Sequence, residues 1–176
     1  ETGHLTPSAL GVTFVPGKLG MAVSLDMYAW IRIQDTPLLD EAAVTMEAWI
    51  RPTSYPMSSG GRKVIWETDS SYWMALVTHG ELQCQDSRTG FGTILLGGWT
   101  HVACTVGNGG SQSFINGVPK AQSTLGIFGT STDGAGIGGG PTGGWPFIGE
   151  IDGLRIYRGV RTPAEICAAA GRTDCQ

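Results

Sequence analysis

Val44-Thr-Met-Glu-Ala-Trp-Ile50 alternates strictly, setting Val44, Met46, Ala48 and Ile50 on one side and Thr45, Glu47 and Trp49 on the other. A period of two marks a strand with one buried face, because successive side chains of extended backbone point to opposite sides. The segments around it read the same way. Upstream lie Val12-Thr-Phe-Val15, Ala22-Val-Ser-Leu25 and Ala29-Trp-Ile-Arg-Ile33. Downstream, after a Pro/Ser/Gly loop from Pro52 to Gly61, come Lys63-Val-Ile-Trp66, Tyr72-Trp-Met-Ala-Leu-Val77 and Gly80-Glu-Leu-Gln-Cys84. Trp99 to Val106, Gln112 to Ile115 and Ile151 to Tyr157 complete the series. Asn116-Gly117, between Ile115 and Val118, predicts a two-residue type I′ hairpin, whose central residues both need positive φ.

One helix is written clearly. Thr162-Pro-Ala-Glu165 is a capping box with proline at the first helical position, Ile166-Cys-Ala-Ala-Ala170 continues it, and Gly171 stops it. About a dozen short strands, polar turns and one short C-terminal helix predict an all-β fold, a two-sheet antiparallel jelly-roll sandwich. A chain of 176 residues with 41% apolar content suits one such domain. Its 28 glycines are about twice the usual share, as many tight turns require. Residues 1–3, Glu1-Thr2-Gly3, look like a remnant of a secretion vector, and residues 4–176 are expected to form the single domain.

The net charge of −4 and the lack of any basic cluster beyond Arg62-Lys63 argue against nucleic acid as a partner. No apolar run is long enough for a bilayer-spanning helix, so no membrane insertion is expected. The four cysteines are even in number and none has C-x-x-C spacing, which disfavours zinc. Period-2 counting puts Cys84 with Leu82, and Cys104 with Val102 and Val106, so both point inward where neighbouring strands could join them. Cys167 and Cys175 are close enough for a bridge stapling the last helix to the tail. The alternative is four buried thiols in a reducing compartment. Two disulfides, with a secreted or cell-surface setting, are the expectation.

Four stretches carry a resemblance. Val44 to Pro52 looks like a "tiEaWvrP" strand, Gly97 to Cys104 like "dgqWhHVA", and Ser113 to Gly117 like "lYvDG" with Asn116 for the aspartate. Phe147-Ile-Gly-Glu-Ile-Asp-Gly-Leu-Arg-Ile-Tyr157 with Arg161 to Ile166 looks like "FxGxIDEVRIYnralsxxEI". Together they resemble the laminin-G-like, pentraxin-like domains of the concanavalin A-type lectin/glucanase superfamily over roughly residues 12 to 170. The resemblance implies a jelly-roll sandwich and does not by itself fix an activity. It implies buried positions for Trp49 and Trp99 and a packed one for His101.

Hydrolases of that superfamily use a strand reading E-[IL]-D-x-(x)-E, in which two glutamates must face one groove about 5–5.5 Å apart. Glu150 and Asp152 could stand for the first two carboxylates, but the third position falls on Leu154 or Arg155, and neither shuttles a proton. Glu67 and Asp69 fail in the same way, being followed by Ser71 and Tyr72. Gly134-Ala-Gly-Ile-Gly-Gly139 fits G-x-G-x-x-G only formally, because Gly140-Pro-Thr-Gly-Gly-Trp-Pro146 cannot open a helix. No catalytic residue is expected.

A binding surface is expected instead on rim loops or a sheet face. Trp30 and Trp66 sit inside strand-like runs and read as core; Trp73 alternates against Met74 and Leu76 and reads as outward-facing. Trp145, between Gly144 and Pro146, is either an exposed loop aromatic or a lid folded back on the core. Trp145 and Trp73, with Asp133 and Arg88, are the candidate ligand-binding residues. The resemblance further implies calcium, with Asp26 and Asp152 as candidate ligands. The competing roles are that Asp152 accepts turn N–H groups and Asp26 starts a solvated turn, while a rim site could use Asp69, Asp86 or Asp133. The reading is a non-catalytic extracellular recognition or adhesion module for a glycan or a protein. Its alternatives are a structural domain of a larger adhesin and a glycoside hydrolase.

Overall fold

The computed structural model describes residues 7–58, 60–68, 71–85, 87–89, 94–107, 109–127 and 129–175. In chain order the first strands are β1 (Pro7–Leu10), β2 (Thr13–Pro16), β3 (Met21–Leu25), β4 (Trp30–Ile33) and β5 (Val44–Pro52). Then come β6 (Arg62–Thr68), β7 (Trp73–Val77), β8 (Glu81–Cys84), β9 (Ser87–Arg88) and β10 (Thr100–Gly107). The series ends with β11 (Gly110–Ile115), β12 (Val118–Ser123), β13 (Ala135–Ile137), β14 (Gly149–Arg158) and the helix α1 (Pro163–Ala169).

The strands form two antiparallel sheets. The first has the order β1-β4-β13-β6-β7-β8-β9 and the second β12-β11-β10-β5-β14-β3-β2. The core lies between them. β5 contributes Val44, Met46, Ala48 and Ile50, all buried, and the facing sheet contributes Trp66, Met74, Leu76 and Leu82. A large apolar side chain removed from water in such a layer contributes about 1.5–3 kcal/mol.

The punctuation predicted from the sequence is present. Asn116 and Gly117 have φ of 48° and 74° and join β11 to β12. Thr162 and Glu165 form the reciprocal capping box of α1, and Gly171 follows its end at φ 77°. Cys84 and Cys104 are bonded, as are Cys167 and Cys175. The first bond runs between β8 of one sheet and β10 of the other, so it spans the core instead of linking neighbours within a sheet.

The outer side of the second sheet is partly occupied. Ile166 of α1 packs on Ala103 and Phe114. Glu47, only 1% exposed, accepts from Arg161 Nη1 at 2.8 Å and from the Tyr157 hydroxyl at 3.0 Å, and Arg155 lies 3.6 Å away. Trp49 and Trp99 are not core residues. Both are half-buried on this outer side, Trp49 against Lys18 at 4.7 Å and edge-on to His101 at 5.3 Å, and Trp99 under Arg51 at 5.2 Å. The reason is parity: Trp49 shares the side of Glu47, opposite to Ala48 and Ile50.

Two predictions follow from these contacts. Replacing Cys84 and Cys104 together by alanine removes a constraint on a 20-residue loop. It is expected to cost about 3 kcal/mol and to lower the melting temperature by roughly 6–12 °C, read by calorimetry. His101 is 2% exposed, and burial, with Arg155 and Arg161 nearby, lowers its pKa to about 4. The unfolded chain, with a histidine near 6.5, therefore binds the extra proton first. This contribution to stability is complete above about pH 6.5 and is lost as pH falls towards about 4; His101→Gln should flatten that part of the stability–pH curve.

Candidate functional site

The outer side of the first sheet carries the candidate site. Register assigns its residues: Glu67 pairs with Trp73 and with Gly136, and Gly136 pairs with Arg32. A second rung runs Val64, Ala75, Gln83, Arg88. A β-bulge between Val64 and Trp66 keeps Arg62, Val64 and Glu67 on one side while Trp66 turns into the core, where it is 1% exposed. Without the bulge Arg62 and Glu67, five apart, would face opposite ways. With it, Arg62 Nη2 donates to Glu67 Oε1 at 2.6 Å.

Arg62 is also the meeting point of two tryptophans. Its guanidinium carbon lies 4.9 Å from the centre of the Trp73 ring and 5.5 Å from that of Trp145. Both are within cation–π range. Trp145 is 50% exposed and has φ of 59°, a left-handed conformation costly for a side chain of its size. The backbone is held there by neighbours: Val64 N donates to Trp145 O at 2.9 Å, and Lys63 Nζ to Pro146 O at 3.3 Å. The ring is thus an exposed aromatic and not a lid.

Trp145 closes a glycine-rich excursion after β13. Gly138 N donates to Ile65 O at 3.1 Å and Phe147 N to Gly138 O at 2.9 Å, so the chain leaves and returns beside β6. Inside it, Gly140 N donates to Gly144 O and Gly143 N to Gly140 O, both at 2.8 Å. Trp30, expected in the core, lies half-buried on the outer side beneath this excursion; a Cβ on Gly143 would stand 2.9 Å from its Nε1. The formal G-x-G-x-x-G stretch is therefore β13 and its loop, with no helix after it.

Of the four candidate ligand residues, Trp73, Trp145 and Arg88 belong to the β6–β9 half of this face. Asp133 is on the other half, where its carbonyl accepts from Arg32 Nη2 at 3.5 Å. Arg62 and Glu67 complete the cluster and were not assigned to it from the sequence. A cavity of about 650 Å³ lies elsewhere, over Thr105, Gly107, Gln112 and Gln122 of the second sheet. Among the described residues that line it, none is aromatic or charged.

The candidate metal pair is not brought together. Gly149 pairs with Leu25 and Ile151 with Val23; one further rung sets Asp152 opposite Ala22, four residues from Asp26. Four residues of strand span roughly 13 Å. Two ligands of one calcium, each at about 2.3–2.6 Å, lie within about 5 Å of one another. Asp152 Oδ2 instead accepts from Leu19 N at 2.6 Å, and Asp26 Oδ1 from Tyr28 N at 2.7 Å. The two residues do not fit a shared ion. Asp69 and Asp86 lie outside the described residues, and among the described residues no three His, Cys, Asp or Glu side chains cluster.

The carboxylates of β14 have no hydrolase geometry either. Glu150 is paired with Arg51 Nε. Leu154 packs against the core, and Arg155 faces Glu47. On the candidate face, Glu67 is bound to Arg62, and Glu81 belongs to the rung of Val77 and Arg62, four residues along the strand from that of Trp73. That is roughly 13 Å lengthwise and about 9.6 Å across two strands. Paired glycosidase carboxylates require about 5–5.5 Å or about 6.5–9.5 Å.

Two seven-stranded antiparallel sheets closing on one core, with a terminal helix on the outer side of one, define a concanavalin A-like sandwich. The chain belongs to the Laminin_G_3 family of the Concanavalin A-like lectin/glucanases superfamily, whose model matches residues 25–167. Among solved structures it is similar to domain 4 of AbnA, a GH43 extracellular arabinanase from Geobacillus stearothermophilus, in complex with arabinotriose. That match has 26% identity, 96% of this chain, 88% of that one and a TM-score of 0.73. It is also similar to a putative carbohydrate binding protein from Bacteroides ovatus, with 22% identity, 93% and 46% of the two chains and a TM-score of 0.66. A third is the binding domain of botulinum neurotoxin DC in complex with SialylT, with 13% identity, 95% and 46% coverage and a TM-score of 0.68. The chain thus spans less than half the length of the latter two. No curated protein sequence matches it.

Because Asp26 and Asp152 stand apart, EDTA is expected to leave the melting temperature unchanged to within about 1 °C; a fall of several degrees would reveal a stabilising ion.

Proposed function

We propose that this chain is a non-catalytic, secreted or surface-displayed glycan-recognition module. Its ligand stacks on Trp73 and Trp145 and hydrogen-bonds to the Arg62–Glu67 pair. The observation that carries this reading is the meeting of two incompletely buried indoles at one arginine, on the outer side of the sheet opposite to the one that α1 packs on. Indole faces match the C–H faces of sugars, and a charged pair offers donors and acceptors to hydroxyls at fixed spacing. The arabinotriose complex of the similar arabinanase domain supports a glycan as the ligand. The two disulfides support an oxidising compartment. The separated, ion-paired carboxylates support recognition without cleavage. The reading needs no metal ion.

The test is a glycan array followed by titration calorimetry with arabinotriose, on the native protein, Trp73→Ala and Trp145→Gly. Glycine suits the left-handed backbone at position 145, so Trp145→Gly should melt within a few degrees of the native protein. Each variant should bind about tenfold or more weakly. Incubation with arabinan or a β-glucan should release no reducing ends. Equal binding by native protein and both variants, or measurable hydrolysis, would overturn the reading.

A further inference from the structure

Thr45, Thr105, Gln112 and Gln122 stand opposite one another on β5, β10, β11 and β12, as one rung of the second sheet. Paired residues share a side, so the row lies on the outer side with Glu47. Thr45 is taken up by the fold: its hydroxyl donates to Gly159 O and accepts from Arg161 N, both at 2.9 Å. Among the described residues no such pair holds the side chains of Thr105, Gln112 or Gln122, and these three line the cavity of about 650 Å³. Thr105 is buried at its floor, Gln112 is half-buried and Gln122 is exposed at its mouth. Helix α1 stops short of the row, packing on Ala103 and Phe114 of the next outward rung.

The cavity has two unlike sides. Beyond Thr105 its wall is apolar, made by Ala42, Ala43 and Val160. A Cβ on Gly107 would stand 3.2 Å from Ala43 Cβ and 3.4 Å from Val160 Cγ2, so this wall rests directly on a strand position without a side chain. Gly159 N donates to Ala43 O at 2.8 Å and ties the two segments of the wall together. On the other side are the amides of Gln112 and Gln122 and the hydroxyl of Thr124. From β12 to β5 there are three strand spacings, about 14 Å, which is room for a small sugar with its substituents.

A lining whose described residues carry no charge disfavours an ionised ligand, because nothing there would offset its desolvation. Without an aromatic ring it offers no stacking surface to a planar heterocycle. A ligand of hydroxyls alone would press some of them against Ala43 and Val160. What matches is a neutral ligand in which a small apolar group is followed by an amide and then by hydroxyls. An acetamido sugar has that order. The glutamine and threonine side chains each donate and accept, as its amide and hydroxyl groups require. We infer that the second sheet carries a separate site for a neutral acetamido sugar. Its methyl lies against Ala43 and Val160, its amide at Thr105 and its ring hydroxyls at Gln112 and Gln122. The inference does not rest on the reading of the tryptophan pair given above.

Ligand-observed NMR titration of the native protein with N-acetylglucosamine, glucose and glucosamine tests it. N-acetylglucosamine should bind with a Kd of about 1–10 mM, and glucose and cationic glucosamine about fivefold or more weakly. Gln112→Ala and Gln122→Ala, at incompletely buried positions, should each weaken it about threefold or more. Ala42→Phe, which puts a ring into the cavity from an exposed position, should abolish it. All three variants should melt within a few degrees of the native protein. Saturating arabinotriose should leave the affinity unchanged within about twofold. No binding of N-acetylglucosamine at about 50 mM, equal binding of glucose, indifference to all three substitutions, or displacement by arabinotriose would overturn the inference. So would equal binding of N-acetylalaninamide, which would mark a peptide site instead.

Discussion

A buried carboxylate organises this sandwich. Glu47 sits on β5, the central strand of its sheet, and is 1% exposed. An ionised group there is tolerable only with close partners, because removing a charge from water costs several kcal/mol even after relaxation. Arg161, Arg155 and the Tyr157 hydroxyl supply them, all from the last strand and the segment beyond it. Meeting that requirement draws the C-terminal segment over the second sheet. There Thr45 accepts from Arg161 N, Ile166 seals against Phe114, and a Cβ on Gly117 would meet the α1 backbone at 2.7 Å. One face is thereby used for structure. The outer face of the first sheet carries the candidate site.

What happens on that other face is a matter of side-chain absence as much as presence. Strands present alternate residues outward, and a chain crossing above them normally stands off by the height of those side chains. Gly136 removes that height at one rung, and the glycines of the excursion remove it from above. The same segment then delivers Trp145 in a backbone conformation that Val64 and Lys63 hold through its carbonyls. Rigid strands supply Arg62, Glu67 and Trp73. A short, internally bonded loop supplies the fourth side chain. A candidate site so assembled inherits its geometry from the sheet.

The fold was largely legible in the amino-acid order because its signals are local. The alternation in Val44–Ile50, the Asn116-Gly117 turn and the Thr162–Glu165 capping box each specify backbone without reference to the rest of the chain. β13 was not legible: Ala135-Gly-Ile137 has no side-chain pattern, and its extended form comes from the two strands that flank it. The tryptophans show a similar divide. Trp73 could be placed outward from alternation, whereas the flanking glycines left Trp145 open between an exposed loop aromatic and a lid on the core. Trp49 follows its parity with Glu47 and not the family likeness, which implies a buried position. The Arg62–Glu67 pair was hidden for a different reason. Their shared side depends on a bulge at Ile65, which nothing in Val64-Ile-Trp66 announces, and Arg62 looked like half of an ordinary basic pair. Asp26 and Asp152 mark the opposite error, in which two residues suited by chemistry are kept apart by register.

The excursion between β13 and β14 begins and ends at a single backbone contact, Phe147 N to Gly138 O. Between these two points the segment touches the first sheet through its own backbone, at Val64 N and above Gly136, so its course is tied to the rungs beneath it. A longer or bulkier segment here would have to be accommodated by the sheet itself.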